Sequence, residues 1–124
     1  MRSELKSTFV FDIVKAHNNK IGGLNTYISN WVFRPAPGTH AEVVQNSHEF
    51  KRLWEKHGAN ECHLLNLQGG DVGCMSFIAQ FDDAEGYGKT NDAIVSDTEF
   101  QELMAKTSAL GFEWVRHNLA RALF

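Results

Sequence analysis

The chain is short of several things at once. It has two cysteines and two prolines in 124 residues. Two thiols, Cys62 and Cys74, are too few for a disulfide scaffold or a thiolate zinc site, and at strand positions they read as small, reduced, buried hydrophobes. No apolar run is long enough to span a bilayer: the stretch Thr8 to Val14 is broken by Asp12 and stopped by Lys15, too short and too charged for a signal peptide or an anchor. An excess of one charge is lacking too. Twelve basic against fifteen acidic residues leave a net charge of −3, no footprint for nucleic acid or anionic lipid. Short catalytic signatures are missing as well. There is no GxSxG elbow and no HxH, HxxxH or HxxE spacing among the six histidines, so no metal site is expected. Gly86-Tyr87-Gly88-Lys89-Thr90 lacks Walker spacing and follows Asp82-Asp83-Ala84-Glu85, whose charge repels phosphate. These absences point to a cytoplasmic protein with no cofactor, no nucleic-acid partner and no membrane partner.

What is present is apolar and aromatic. Nine Phe, three Trp and two Tyr, within 43% apolar residues, suffice for the core of one domain, residues 1–124. Residues 1–24 read as an N-terminal extension, with a strand-like stretch at Thr8 to Val14 and a Gly/Asn-rich loop after it; 25–118 form the core and 119–124 a tail. Asn25 to Arg34 alternates as a strand, and Pro35-Ala36-Pro37-Gly38 ends it. Thr39 is placed to cap a helix over Ala41 to His57, where Val43, Phe50, Leu53, Trp54 and His57 make one stripe and Gly58 is the stop. Glu61 to Leu67 and Val72 to Phe81 read as a hairpin closed by Gly69-Gly70. Asp82-Asp83 opens a helical stretch that restarts at Ser96-Asp97-Thr98-Glu99, with a stripe of Phe100, Leu103, Met104 and Thr107. An alternating strand begins at Phe112.

The order strand, helix, strand, strand, helix, strand is the ferredoxin-like α+β arrangement: an antiparallel sheet with its helices on one face. Alternation puts Tyr27, Trp31, Phe33, Leu65, Leu67, Met75, Phe77, Phe81 and Trp114 on the core side. The other side still offers Ile28, Val32, Cys62, Leu64, Val72, Cys74, Ile78, Val115 and Leu119, diluted by Asn30, Asn66, Ser76 and Gln80. So much apolar surface predicts a two-fold homodimer, sheet against sheet.

At Phe50-Lys51-Arg52-Leu53-Trp54-Glu55-Lys56-His57-Gly58-Ala59 and Asp97-Thr98-Glu99-Phe100-Gln101-Glu102-Leu103, together with this order, the chain resembles the dimeric α+β barrel superfamily of antibiotic-biosynthesis-monooxygenase-like, EthD-like and NIPSNAP-like proteins. The resemblance covers Asn25 to about Val115 and leaves the N-terminal extension as an added strand or dimer arm. It implies a small apolar ligand held between sheet and helices, and it offers a cofactor-free oxygenase activity. Haem-degrading relatives use an Asn, a Trp and a His; Asn30 is present, but Cys62 to Phe81 has no Trp and Asp82 to Leu110 no His, which argues against haem ligation of that kind.

The candidate residues follow. Asn30 and His57 are the polar groups expected to act on a substrate, and Trp54, Tyr87 and Trp114 those expected to line its pocket. Each also has an ordinary role: Trp54 and Trp114 as core aromatics, Asn30 and Tyr87 as satisfied polar edges, His57 offsetting the dipole of its helix end. A non-catalytic binding or assembly protein is the alternative to an enzyme.

Overall fold

A computed structural model of the chain describes residues 26–124. The expected strand at Thr8 to Val14 and the rest of the N-terminal extension lie outside the described residues. The elements run β1 (Tyr27–Arg34), α1 (His40–His57), β2 (Glu61–Asn66), β3 (Met75–Phe81), α2 (Ala84–Val95), α3 (Thr98–Ser108) and β4 (Glu113–Arg121). The strands form one antiparallel sheet in the order β2-β3-β1-β4. This is the ferredoxin-like α+β fold, with the second helical segment divided at Ser96-Asp97 as the restart signal predicts.

The helix starts divide by chemistry. Asp83 accepts the Gly86 N–H at 2.7 Å and Asp97 accepts that of Glu99 at 2.8 Å, so both aspartates cap the helices they precede. Thr39 does not cap α1: its hydroxyl donates back to the Ala36 carbonyl at 2.7 Å, closing the Pro35-to-Gly38 turn instead. At the other end of α1, Gly58 has φ 137°, a conformation that L side chains rarely adopt, and a Cβ there would run into Thr90 Oγ1. Thr90 in turn donates to the His57 carbonyl at 3.1 Å, docking α2 onto the end of α1.

Two face assignments change. The β2–β3 connection is longer than a two-residue turn, with a single 3-10 turn at Gly69–Asp71, and the register it sets places Cys62 opposite Ala79 and Leu64 opposite Phe77. Cys62 and Leu64 therefore pack under the helices, while Leu65 turns outward, 43% exposed. Cys62 and Cys74 are both buried and free; Cys62 faces Ala79, whereas the Cys74 carbonyl accepts from the Leu67 N–H near the other end of the hairpin, so the two are too far along it to bridge. In β4 the register shifts at Val32/Phe33, so that Trp114 lies opposite Phe33 and His117 opposite Trp31. The extra residue, Val115, puts Trp114 and His117 on the same face, where uninterrupted alternation predicts opposite ones.

The core lies between α1, α2, α3 and one face of the sheet, around Leu53, Trp54, Phe77, Ala79, Phe81 and Ile94. The other face carries Asn30 and Ser76, as alternation predicts. Ser76 donates to Asn30 Oδ1 across β1 and β3, and Arg116 pairs with Asp71 at 2.5 Å. The two outer strands differ. On β2, Glu55 accepts the Cys62 N–H at 3.2 Å and Lys51 donates to the Cys62 carbonyl at 3.2 Å, so two side chains from α1 take up the outward backbone groups of that residue. Every residue of β4 is exposed, the apolar Trp114, Val115 and Leu119 among them.

Candidate functional site

Between the sheet and the two helices α1 and α3 lies a cavity of about 120 Å³. The elements that form it follow from helix and strand periods. Val43, Ser47, Phe50 and Trp54 recur at helical spacing along α1, and Phe100, Met104 and Thr107 do so along α3. Trp31 and Phe33 of β1, Phe77 of β3 and Phe112 and Trp114 at β4 supply the floor and one side.

The aromatic rings meet edge to face: Phe50 with Phe100 at 5.7 Å, Trp54 with Phe100 at 6.2 Å and Phe112 with Trp114 at 4.7 Å between centroids. Among the described residues no titratable side chain lines the space. Its polar groups are few. Asn46 Nδ2, buried behind the wall, donates to Thr107 Oγ1 at 3.1 Å. Trp31 Nε1 is buried with no hydrogen-bond partner.

Behind Trp31 stands His117. The two rings stack with centroids 3.6 Å apart and planes 10° from parallel, and His117 Nε2 lies 2.9 Å from the buried hydroxyl of Ser29. Partial desolvation lowers the pKa of His117 below the usual histidine value. The pair fixes the indole plane from the side of β4.

Of the residues singled out from sequence, Trp54 and Trp114 line the cavity, Trp114 at its rim with 51% exposure. The other three lie elsewhere. Asn30 is on the opposite face of the sheet, accepting from Ser76. His57 is turned to the α2–α3 junction, its Nε2 2.7 Å from Asp97 Oδ2. Tyr87 packs edge-on against Phe81 at 5.3 Å, under α2. The cavity thus does not bring the two expected acting groups together. Trp31 and Thr107 belong to the wall as well; the helical stripe Phe100, Met104 and Thr107 marks it in the sequence no differently from a core helix.

No protein-family model matches the chain, and no curated protein matches its sequence. Solved structures do. A NIPSNAP family protein from Agrobacterium tumefaciens superposes with a TM-score of 0.64 at 10% identity, over 78% of this chain and 85% of that one. SnoaB, a cofactor-independent oxygenase from Streptomyces nogalater, gives 0.61 at 17% identity, over 79% and 93%. The chain has their fold. A NIPSNAP-like domain protein from Burkholderia xenovorans agrees, with 0.61 at 13% identity over 82% and 86%. The expected likeness to NIPSNAP-like proteins is thereby met at the level of the fold.

A wider groove of about 660 Å³ runs along α1 and β2, with Lys51, Glu61 and His63 in its walls. No helix among the described residues is long and apolar enough to cross a membrane.

Proposed function

We propose that the chain binds a small apolar organic molecule in the cavity between the sheet and helices α1 and α3. The observation that carries this reading is the wall itself: rings from three strands' ends and two helices surround a space that holds no ionisable group. Such a lining favours an apolar guest and penalises a charged one. Trp54 and Trp114 are its proposed ligand-binding residues.

Toluene tests it. Three tryptophans, Trp31, Trp54 and Trp114, line the space, so binding is read as a change in intrinsic fluorescence. Met104→Trp fills the cavity and abolishes that change while far-UV circular dichroism stays as in the parent. Binding that survives the filling places the guest elsewhere and overturns the reading.

A second reading, an oxygenase-like enzyme without cofactor, draws on the likeness in fold to SnoaB, a cofactor-independent oxygenase. With no base in the wall, the substrate itself would have to supply the acidity. Oxygen uptake with phenolic or quinol substrates, abolished by filling the cavity with Met104→Trp, supports it; uptake equal to a protein-free control removes it. Asn30 and His57 enter this reading only from outside the cavity, and turnover unchanged in Asn30→Ala and His57→Ala takes them out of it.

The chain is also proposed to work as a homodimer, with β4 in the contact. Trp114, Val115, Leu119, Leu123 and Phe124 are exposed apolar side chains concentrated on this strand and its tail. Antiparallel pairing of two copies of β4 also brings the Glu113 end of one towards the Arg121 end of the other. Two buried, free cysteines support the expectation of a reducing, cytoplasmic setting.

A further inference from the structure

Ile28, Asn30 and Val32 of β1 and Ser76, Ile78 and Gln80 of β3 point away from the helices, because Trp31, Phe33, Phe77 and Ala79 between them point into the core and the cavity. A sheet face left to solvent keeps such side chains partly exposed. Yet Val32 and Ser76 are 1% exposed and Gln80 9%. Ile28, Asn30 and Ile78 beside them are half-buried. The border strands differ: Arg116, Asn118 and Ala120 of β4, opposite Val32, Asn30 and Ile28, are exposed, and so is Leu65 of β2. The face is therefore covered over β1 and β3 and open at its sides.

One end of the cover is accounted for. Arg116 reaches Asp71 of the β2–β3 connection at 2.5 Å, and a contact between β4 and that connection has to pass across β1 near Val32. At the other end, around Gln80, no element among the described residues lies on this face, since α1, α2 and α3 all pack on the opposite one.

What remains of the chain is residues 1–25. The chain joins the sheet beside the covered patch: Thr26 is buried, and Ile28, two residues on, is the partner of Gln80. Reach is no constraint. Twelve residues separate Val14 from Thr26, enough to extend ~40 Å, whereas four strands span ~15 Å. The residue pattern suits the patch as well. Thr8 to Val14 alternates Phe9, Phe11 and Ile13 with Val10, Asp12 and Val14, an apolar side for Ile28 and Ile78 and a side with Asp12 for water.

We infer that the N-terminal segment around Thr8 to Val14 docks on the helix-free face of its own sheet, over β1 and β3 at Gln80, with Phe9, Phe11 and Ile13 against Ile28 and Ile78. A second copy is the other occupant that such a face can take. It fits less well: a sheet laid flat on this one also covers Leu65, Arg116, Asn118 and Ala120, and tethering gives the chain's own segment the advantage in local concentration. Docking there excludes sheet-against-sheet pairing of two copies and leaves a contact through β4 unhindered.

Thiol labelling of the full-length chain tests it. Ile78→Cys places a thiol on the covered patch against a quiet background, because Cys62 and Cys74 are buried. Ellman's reagent is expected to label it far more slowly than Leu65→Cys on the open part of the same face. Phe9→Ser, Phe11→Ser and Ile13→Ser together are expected to bring the Ile78→Cys rate up to that of Leu65→Cys with far-UV circular dichroism unchanged, whereas Val10→Ser with Val14→Ser leaves it slow. Gln80→Cys, a second reporter, is expected to behave alike. A patch thiol as fast as Leu65→Cys before those substitutions, or still slow after them, overturns the inference. Labelling that speeds up on dilution assigns the cover to a second copy and overturns it too.

Discussion

His57 Nε2 stands 2.7 Å from Asp97 Oδ2, and that contact fastens the last turn of α1 to the first turn of α3. Asp97 also accepts the N–H groups of Glu99 and Phe100 as the cap of α3, and Lys56 lies 3.4 Å away. One carboxylate thus joins two of the helices that cover the sheet, and His57 serves it as a partner.

The consequence for pH has a definite sign. The bond with His57 first, then the backbone N–H groups and the charge of Lys56, hold the Asp97 carboxyl down to about 2 from 3.8. The folded state keeps this group ionised at lower pH than the unfolded chain does, so its contribution is complete above 3.8 and declines as pH falls towards 2. Urea midpoints measured from acid to neutrality are expected to show that decline in the parent and a shallower one in Asp97→Asn. Identical acid limbs would remove Asp97 from the account.

Gly58→Ala is expected to destabilise the fold by about 1–3 kcal/mol, because it combines an unfavourable φ with a clash. The neighbour it meets is Thr90 Oγ1, so Thr90→Ala in the same chain should relieve part of the loss. A double-mutant cycle by urea unfolding reads this directly: coupling near zero would mean that backbone strain accounts for the whole effect.

Burial pushes the Cys62 thiol up to about 12, with Glu55 adding to the shift. A thiol that stays protonated and covered does not react. Ellman's reagent at neutral pH is expected to modify Cys62 no faster than the protein unfolds, and fast labelling of native protein would show that the α1–β2 contact opens on its own.

Leu119→Asp tests the assembly. Leu119 is exposed on β4 and lies opposite Ser29. A buried charge in a contact between copies is strongly unfavourable. Light scattering should find a dimer for the parent and a monomer for the variant, with unchanged circular dichroism. A monomeric parent removes the dimer, and a dimeric variant moves its contact away from β4.

The fold was legible because its signals are local and strong. Alternation marked β1, the aspartates at 83 and 97 marked two helix starts, and the glycine at 58 marked a helix end. What alternation could not show was parity across interruptions. The longer β2–β3 connection exchanged the faces of Cys62 and Leu65, and Val115 exchanged that of His117. The site was less legible for the same reason. Asn30 and His57 have chemistry that suits a pocket, but a strand places Asn30 on the far face and a charged neighbour holds His57 at a helix junction. Trp31 has no such chemical prominence, and only its place in the cavity wall singles it out.

The side chains of Lys51 and Glu55 at Cys62 also bear on how large an assembly can become. A sheet with two equally receptive borders can add chains head to tail without limit, the geometry of a fibre. Here the β2 border is occupied by a lysine and a glutamate at Cys62, and the other border is β4. Two chains joined through β4 would leave only β2 borders facing outward, where Lys51 and Glu55 already hold the backbone groups of Cys62.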